Sequence, residues 1–267
     1  ISNFDTKNVL DISFMFYYCN SLSNLNLKNF ETSNVKNMSH LFENCNSLKE
    51  LDITNFDTNN VIDLSGIFID CSSLHSLDIS NFITNKVKNM SNMFENCGSL
   101  DNLDLSKLNT EQVIDFSNMF KSCSSLESLD LSNFNIKNAK DMSSMFQDCS
   151  SLEYLDINSF DTSQVTDMSN MFQNCKYLDE LDLSIFNTEN VENMAKMFDG
   201  CDFLEMLEFS TIQTSKVKNM SGIFRGCKNL YNVELSQLDT NLVEDMSYMF
   251  SGCRLINDIN LTSFRTS

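Results

Sequence analysis

NFETSNVKNMSHLFENCNSLKELDIT, residues 29–54, is one copy of a unit that the chain repeats from end to end. Its cysteine, Cys45, returns as Cys19, Cys71, Cys97, Cys123, Cys149, Cys175, Cys201, Cys227 and Cys253, always 26 residues apart, with no insertion or deletion. A fixed period of this length marks a stacked array. Within the copy, Leu48, Leu51 and Ile53 follow an L-x-x-L-x-L spacing whose second half alternates as a short strand does. Asn or Asp stands before Met38 and its equivalents in every copy, from Asp11 to Asp245, and such a side chain suits an N-cap. Met38, Leu41 and Phe42 then fall at spacings of 3 and 4, which predicts a short helix over 38–43. The residue before Cys is Asn, Asp or Gly in eight of ten copies. Those types accept a left-handed backbone and end a helix.

A unit of 26 residues cannot bury its apolar face alone, so the copies must stack into a solenoid. The expected fold class is α/β, with one short strand and one short helix per coil. Strands repeat at about 4.8 Å and packed helices at about 8–10 Å. That mismatch predicts a curved stack with parallel strands on its inner face. Residues 1–267 read as a single array of about ten copies. Neither end carries a polar capping unit, so the sequence reads as a fragment of a longer array.

The cysteine column fits no usual cysteine chemistry. No two cysteines are close in sequence, and a convex helix would hold equivalent residues beyond the roughly 7 Å that a disulfide tolerates. Metal sites need ligands converging on a point, whereas this column runs along a line. The only histidines, His40 and His75, sit at different phases of the repeat. The column is therefore read as a structural thiol ladder, a small apolar filler in the core.

At this point the copies, for example VTDMSNMFQNCKYLDELDLSIFNTENVENM (165–194), resemble the BspA-like leucine-rich repeats. These repeats occur in surface proteins of gut and oral bacteria, mycoplasmas and some parasitic protists. The resemblance covers the whole chain. It implies a leucine-rich-repeat solenoid, a location at the cell surface or secreted, and adhesion to a host or neighbouring-cell protein, glycoprotein or matrix. Phe30, Phe56, Phe82 and Phe134 stand where the general leucine-rich pattern has Asn, so no Asn ladder is expected at that position.

Charge narrows the partners. The net charge of −19 opposes nucleic acid and anionic membranes. The longest apolar runs are about six residues, too short for direct membrane insertion. Much of the charge forms a column between the two strand leucines: Asn26, Asp52, Asp78, Asp104, Asp130, Asp156, Asp182, Glu208, Glu234 and Asn260. Two readings stay open. Ca²⁺ could bridge successive carboxylates, although the glycine-rich spacing of calcium repeats is missing. Alternatively each acid accepts from the Ser or Thr two residues on, the column Thr54, Ser80, Ser106, Ser132, Ser184, Ser210 and Ser236. No other cofactor is expected.

In a repeat protein, ligand contacts are sought where exposed positions leave the consensus. Tyr154 and Met206 do so in the column before the second strand leucine, next to Glu180. Tyr177 and Phe203 replace the Ser that follows Cys by two, and Tyr231 joins them one copy later. Aromatic side chains among acids are typical of binding hot spots. No catalytic set of residues is present, so an enzyme is not expected. The sequence thus predicts a binding or adhesion module that presents an acidic inner face to a protein or glycoprotein. The alternative is a stalk or spacer holding another domain off the surface.

Overall fold

The computed structural model describes residues 5–209 and 211–265; Ser210 of the hydroxyl column lies outside them. The chain winds as a leucine-rich repeat solenoid. Four short strands fall where the leucine spacing places them: β1 (Ser128–Asp130), β2 (Tyr154–Asp156), β3 (Met206–Leu207) and β4 (Asn232–Val233). β1 pairs with β2 and β3 with β4, both parallel and offset by one 26-residue coil. The contact that threads all ten coils is elsewhere. It is a column of single-residue parallel bridges from Asp11 through Asn37, Asp63 and onward to Asp245.

The predicted helix does not form: there is no helix among the described residues. Residues 38–45 instead make tandem β-turns. The N–H groups of Leu41, Glu43 and Cys45 donate to the carbonyls of Met38, His40 and Phe42, three residues back, at 3.1–3.3 Å. His40 and Asn44, each third in its turn, have φ of 56° and 62°, as a type II turn requires. The alternate N–H groups, those of Met38, His40, Phe42 and Asn44, donate to Asp63, Ser65, Ile67 and Ile69 of the next coil at 2.8–3.2 Å. An α-helix would keep these donors within its own segment. Two left-handed residues four apart break that ladder and turn every second donor towards the neighbouring coil. Met38, Leu41 and Phe42 still face inward, fully buried. The Asx column also does what a cap does, since Asn37 Oδ1 accepts from the Ser39 N–H at 2.9 Å. Here it opens a turn.

Hydrogen bonds join coil to coil on the turn flank as well as on the strand flank. One column of rings follows the stack. Phe16, Phe42, Phe68, Phe94, Phe120, Phe146, Phe172, Phe198, Phe224 and Phe250 stack face to face, with successive centroids 5.6–6.0 Å apart.

Two polar ladders finish the interior, and the sequence reading passed over both. Thr58 is fully buried; its hydroxyl donates to the Ile83 carbonyl at 3.0 Å and accepts from the Ile83 N–H at 2.7 Å. Thr32, Thr84 and Thr110 repeat this pair of bonds. The Asn before the phenylalanine column forms the other ladder. Asn55 Nδ2 donates to the carbonyls of Leu27 and Phe30 at 3.1 and 3.0 Å, and Asn81 and Asn133 do the same one and three coils later. An Asn ladder therefore exists one residue earlier than the position where Phe displaced it. These bonds satisfy backbone groups that a buried turn would otherwise leave without water.

Candidate functional site

The thiol column lies within the core. All ten cysteines are free; eight are buried, and Cys19 and Cys253, at the outer coils, are partly so. Each thiol from Cys45 to Cys253 donates to the phenylalanine carbonyl 29 residues back, as Cys123 Sγ does to Phe94 O at 3.1 Å. That carbonyl also accepts the Cys97 N–H at 3.1 Å. Cysteine is thus a donor as well as a filler. Burial pushes the Cys97 and Cys149 thiols up to about 12, so the nucleophilic thiolate is suppressed. Separation is not what prevents disulfides, because coils bonded at strand spacing bring equivalent Cα atoms within the disulfide range. The in-register side chains instead aim their S–H groups at the preceding coil.

The acidic ladder is on the exposed strand face. Asp52, Asp78, Asp104, Asp130, Asp156, Asp182 and Glu234 each accept from the N–H two residues on, at 2.8–3.3 Å. Hydrogen bonds from the hydroxyls and N–H groups of Thr54, Ser80, Ser132 and Ser184 hold the carboxyls of Asp52, Asp78, Asp130 and Asp182 below the ordinary range. For Asp104 the Ser106 N–H is the leading cause, and for Glu234 the Ser236 hydroxyl. At Asp78 these bonds outweigh the repulsion from Asp104 and Asp52. Glu208 lies in the same column. Among the described residues, no three His, Cys, Asp or Glu side chains are grouped as metal ligands would be.

The non-consensus residues lie along one exposed face. Tyr154 and Met206 are 59% and 57% exposed, on the outward positions of β2 and β3. Tyr177 and Phe203 stack across adjacent coils, centroids 5.1 Å apart, and both remain about half exposed. Tyr231 is exposed one coil further on. An open groove of about 620 Å³ brings together Glu180, Phe203 and Met206 with Asp179, Asp182, Glu205, Glu208 and Glu234 over a floor of Leu181 and Leu207. Tyr154, Tyr177 and Tyr231 do not line it. A larger concavity, about 740 Å³, lies at the first coils, where Asp5 and Glu31 are mixed with Lys7 and Lys28.

The sequence reading missed a second aromatic group. Phe14, Tyr17 and Tyr18 are exposed on the turn flank of the first coil, and Phe14 stacks on His40 at 4.6 Å. Its signal was available, since these positions carry polar residues or glycine in most later copies.

Several solved structures are similar to this chain. A leucine-rich repeat protein from Bacteroides ovatus matches at 18% identity over 86% of this chain and 77% of its own, with a TM-score of 0.36. The leucine-rich repeat protein of T. pallidum matches at 21% identity over 67% of this chain and 75% of its own, TM-score 0.40. A leucine rich cell surface protein from Faecalibacterium prausnitzii matches at 17% identity over 86% of this chain and 80% of its own, TM-score 0.31. A comparison with curated proteins finds none that matches. A family model does match, over residues 1–97, 65–156, 130–206 and 204–267, so its overlapping segments run the length of the chain. The chain, with repeats of the BspA-like type, belongs to the family described as Mycoplasma protein of unknown function, DUF285.

Proposed function

We propose that this chain is a non-enzymatic binding array of the cell surface, engaging a protein or glycoprotein of a host or neighbouring cell through its exposed strand face. One observation carries the reading. Core, thiol and threonine columns follow the consensus, whereas large apolar side chains collect on the exposed face at Tyr154, Tyr177, Phe203, Met206 and Tyr231. Exposed aromatic and apolar side chains of this kind, with Tyr177 and Phe203 stacked on each other, are characteristic of interaction surfaces. The rigid stack around them holds the residues in register without the ordering cost that a flexible loop would carry. No helix among the described residues is long and apolar enough to cross a membrane.

The spacer reading has its own support, because a stack bonded on both flanks is stiff and a spacer needs no unique side chains. The two separate by experiment. The intact chain is immobilised and offered a panel of host extracellular and matrix proteins, with and without their glycans. The binding array captures at least one of them saturably and at the same stoichiometry at every surface density. Capture of none leaves the spacer.

A further inference from the structure

We propose that the groove beside Phe203 and Met206 takes an extended, lysine- or arginine-bearing segment of the partner protein; this inference rests on the binding-array reading above. Six carboxylates line the groove, those of Asp179, Glu180, Asp182, Glu205, Glu208 and Glu234, and no lysine or arginine does. The concavity at the first coils is a useful contrast, since Lys7 and Lys28 there are mixed with Asp5, Glu31 and Asp57 and leave its charge nearly balanced. An acidic surface alone would attract any cation. This one encloses apolar side chains, with Phe203 and Met206 about half exposed over the more buried Leu181 and Leu207. The occupant therefore needs both basic and apolar side chains.

Geometry makes that occupant extended. The lining residues come from three successive coils, which at strand spacing span about 10 Å, or three to four residues of extended chain. The backbone of β3 already pairs with β4 through Met206 and Leu207, so the segment is read by its side chains and does not add a strand. The stacked rings of Tyr177 and Phe203 present an aromatic face at one rim, where a guanidinium or ammonium gains a cation–π contact. Hydrogen bonds from Ser184 and Ser236 keep the carboxyls of Asp182 and Glu234 below the ordinary range, which favours the anionic form of these two. A neutral glycan would use the rings and leave the charge without a role.

The test uses the full chain and a labelled, amidated hexapeptide of alternating lysine and leucine, with its glutamate–leucine counterpart and a neutral oligosaccharide as comparisons. Fluorescence anisotropy reads the affinity. The basic peptide should bind at least about thirtyfold more tightly than the acidic one. Glu180→Gln with Glu205→Gln should weaken it about tenfold, within the range of two lost charges, and Met206→Ser about fivefold, within the range of one lost apolar contact. Glu50→Gln, in the same exposed column as Glu180 and five to seven coils from the groove, should leave the affinity unchanged. Equal weakening by Glu50→Gln would reduce the effect to bulk charge and overturn the proposal. So would equal binding of the two peptides, or binding of the oligosaccharide in place of the basic peptide. If the panel proteins are captured and the basic peptide is not, the binding array stands and the basic occupant falls. If neither binds, both fall.

Discussion

Raising the pH should unfold this array through its cysteines. Cys97 and Cys149 are fully buried, and burial raises their thiols from an ordinary value near 9 to about 12. The unfolded chain ionises these thiols above pH 9, whereas the folded chain keeps them neutral until about 12. The stability they contribute is therefore complete below pH 9 and is lost as pH climbs towards 12. At about pH 10 the loss is about 1.4 kcal/mol for each thiol, and at about pH 11 nearly twice that. All eight buried cysteines shift in the same direction. Their losses add along the column, so the array as a whole becomes markedly less stable above about pH 10. The assay is urea unfolding followed by circular dichroism at about pH 8 and pH 10 under reducing conditions. It compares the natural chain with a Cys97→Ala/Cys149→Ala variant. The variant is less stable at pH 8, because it loses two sulfur atoms from a packed core. Its loss of stability between the two pH values should nevertheless be smaller by about 3 kcal/mol. An unchanged pH dependence would refute the reasoning, as would thiolate absorbance that rises near pH 9 while the fold persists.

Three further outcomes follow from the ladders and turns. Thr58→Val leaves the buried N–H and carbonyl of Ile83 without their shared hydroxyl; it should cost about 2–4 kcal/mol in chemical denaturation, with Thr58→Ser costing much less. Asn92 has φ of 57°, so Asn92→Ala should lower the stability by about 1 kcal/mol and Asn92→Gly should hold or raise it. A helix at that place would give the opposite order, which makes the pair a direct check on the tandem turns. On the acid side, the carboxyls of Asp52, Asp78, Asp104, Asp130 and Asp182 lie below their ordinary range when folded. Their contribution is present above that range and lost as pH falls through the depressed values. The thermal midpoint should therefore drop below about pH 4, and Ser132→Ala should weaken the dependence.

The solenoid was legible because a period of 26 residues leaves no other way to bury Leu48, Leu51, Ile53 and Phe42. The strand positions were legible for the same reason, through the alternation around Leu129 and Leu155. The turn flank was not, because Met38, Leu41 and Phe42 sit at helical spacing and tandem turns bury the same three side chains. The deciding signal was the second left-handed position. Gly66, Gly222, Asn92 and Asn170 recur four residues before the Asn, Asp or Gly that precedes Cys, and an α-helix has no use for left-handed residues at that interval. The reason for excluding disulfides failed with the helix, since it depended on the helix's width. The threonine ladder was hidden by its regularity. Thr32, Thr58 and Thr84 read as turn residues, and only burial reveals a hydroxyl that serves two backbone groups. At the candidate site, phase alone placed Tyr154, Tyr177, Phe203, Met206 and Tyr231 on an exposed face. The stack of Tyr177 on Phe203 and the groove around Glu180 depend on side-chain directions that phase does not supply.

In the proposed function, one modified stretch of the strand face does the binding. The most direct test compares the intact chain with a variant whose Tyr154, Tyr177, Phe203, Met206 and Tyr231 are all changed to Ser or Asn, against the same panel of extracellular proteins. All five side chains are exposed, so circular dichroism and thermal midpoint should be nearly the same for the two proteins. The account predicts saturable capture by the intact chain and loss of at least about a hundredfold in affinity, two or three hot-spot contacts, in the variant. Equal binding by the two folded proteins would contradict it.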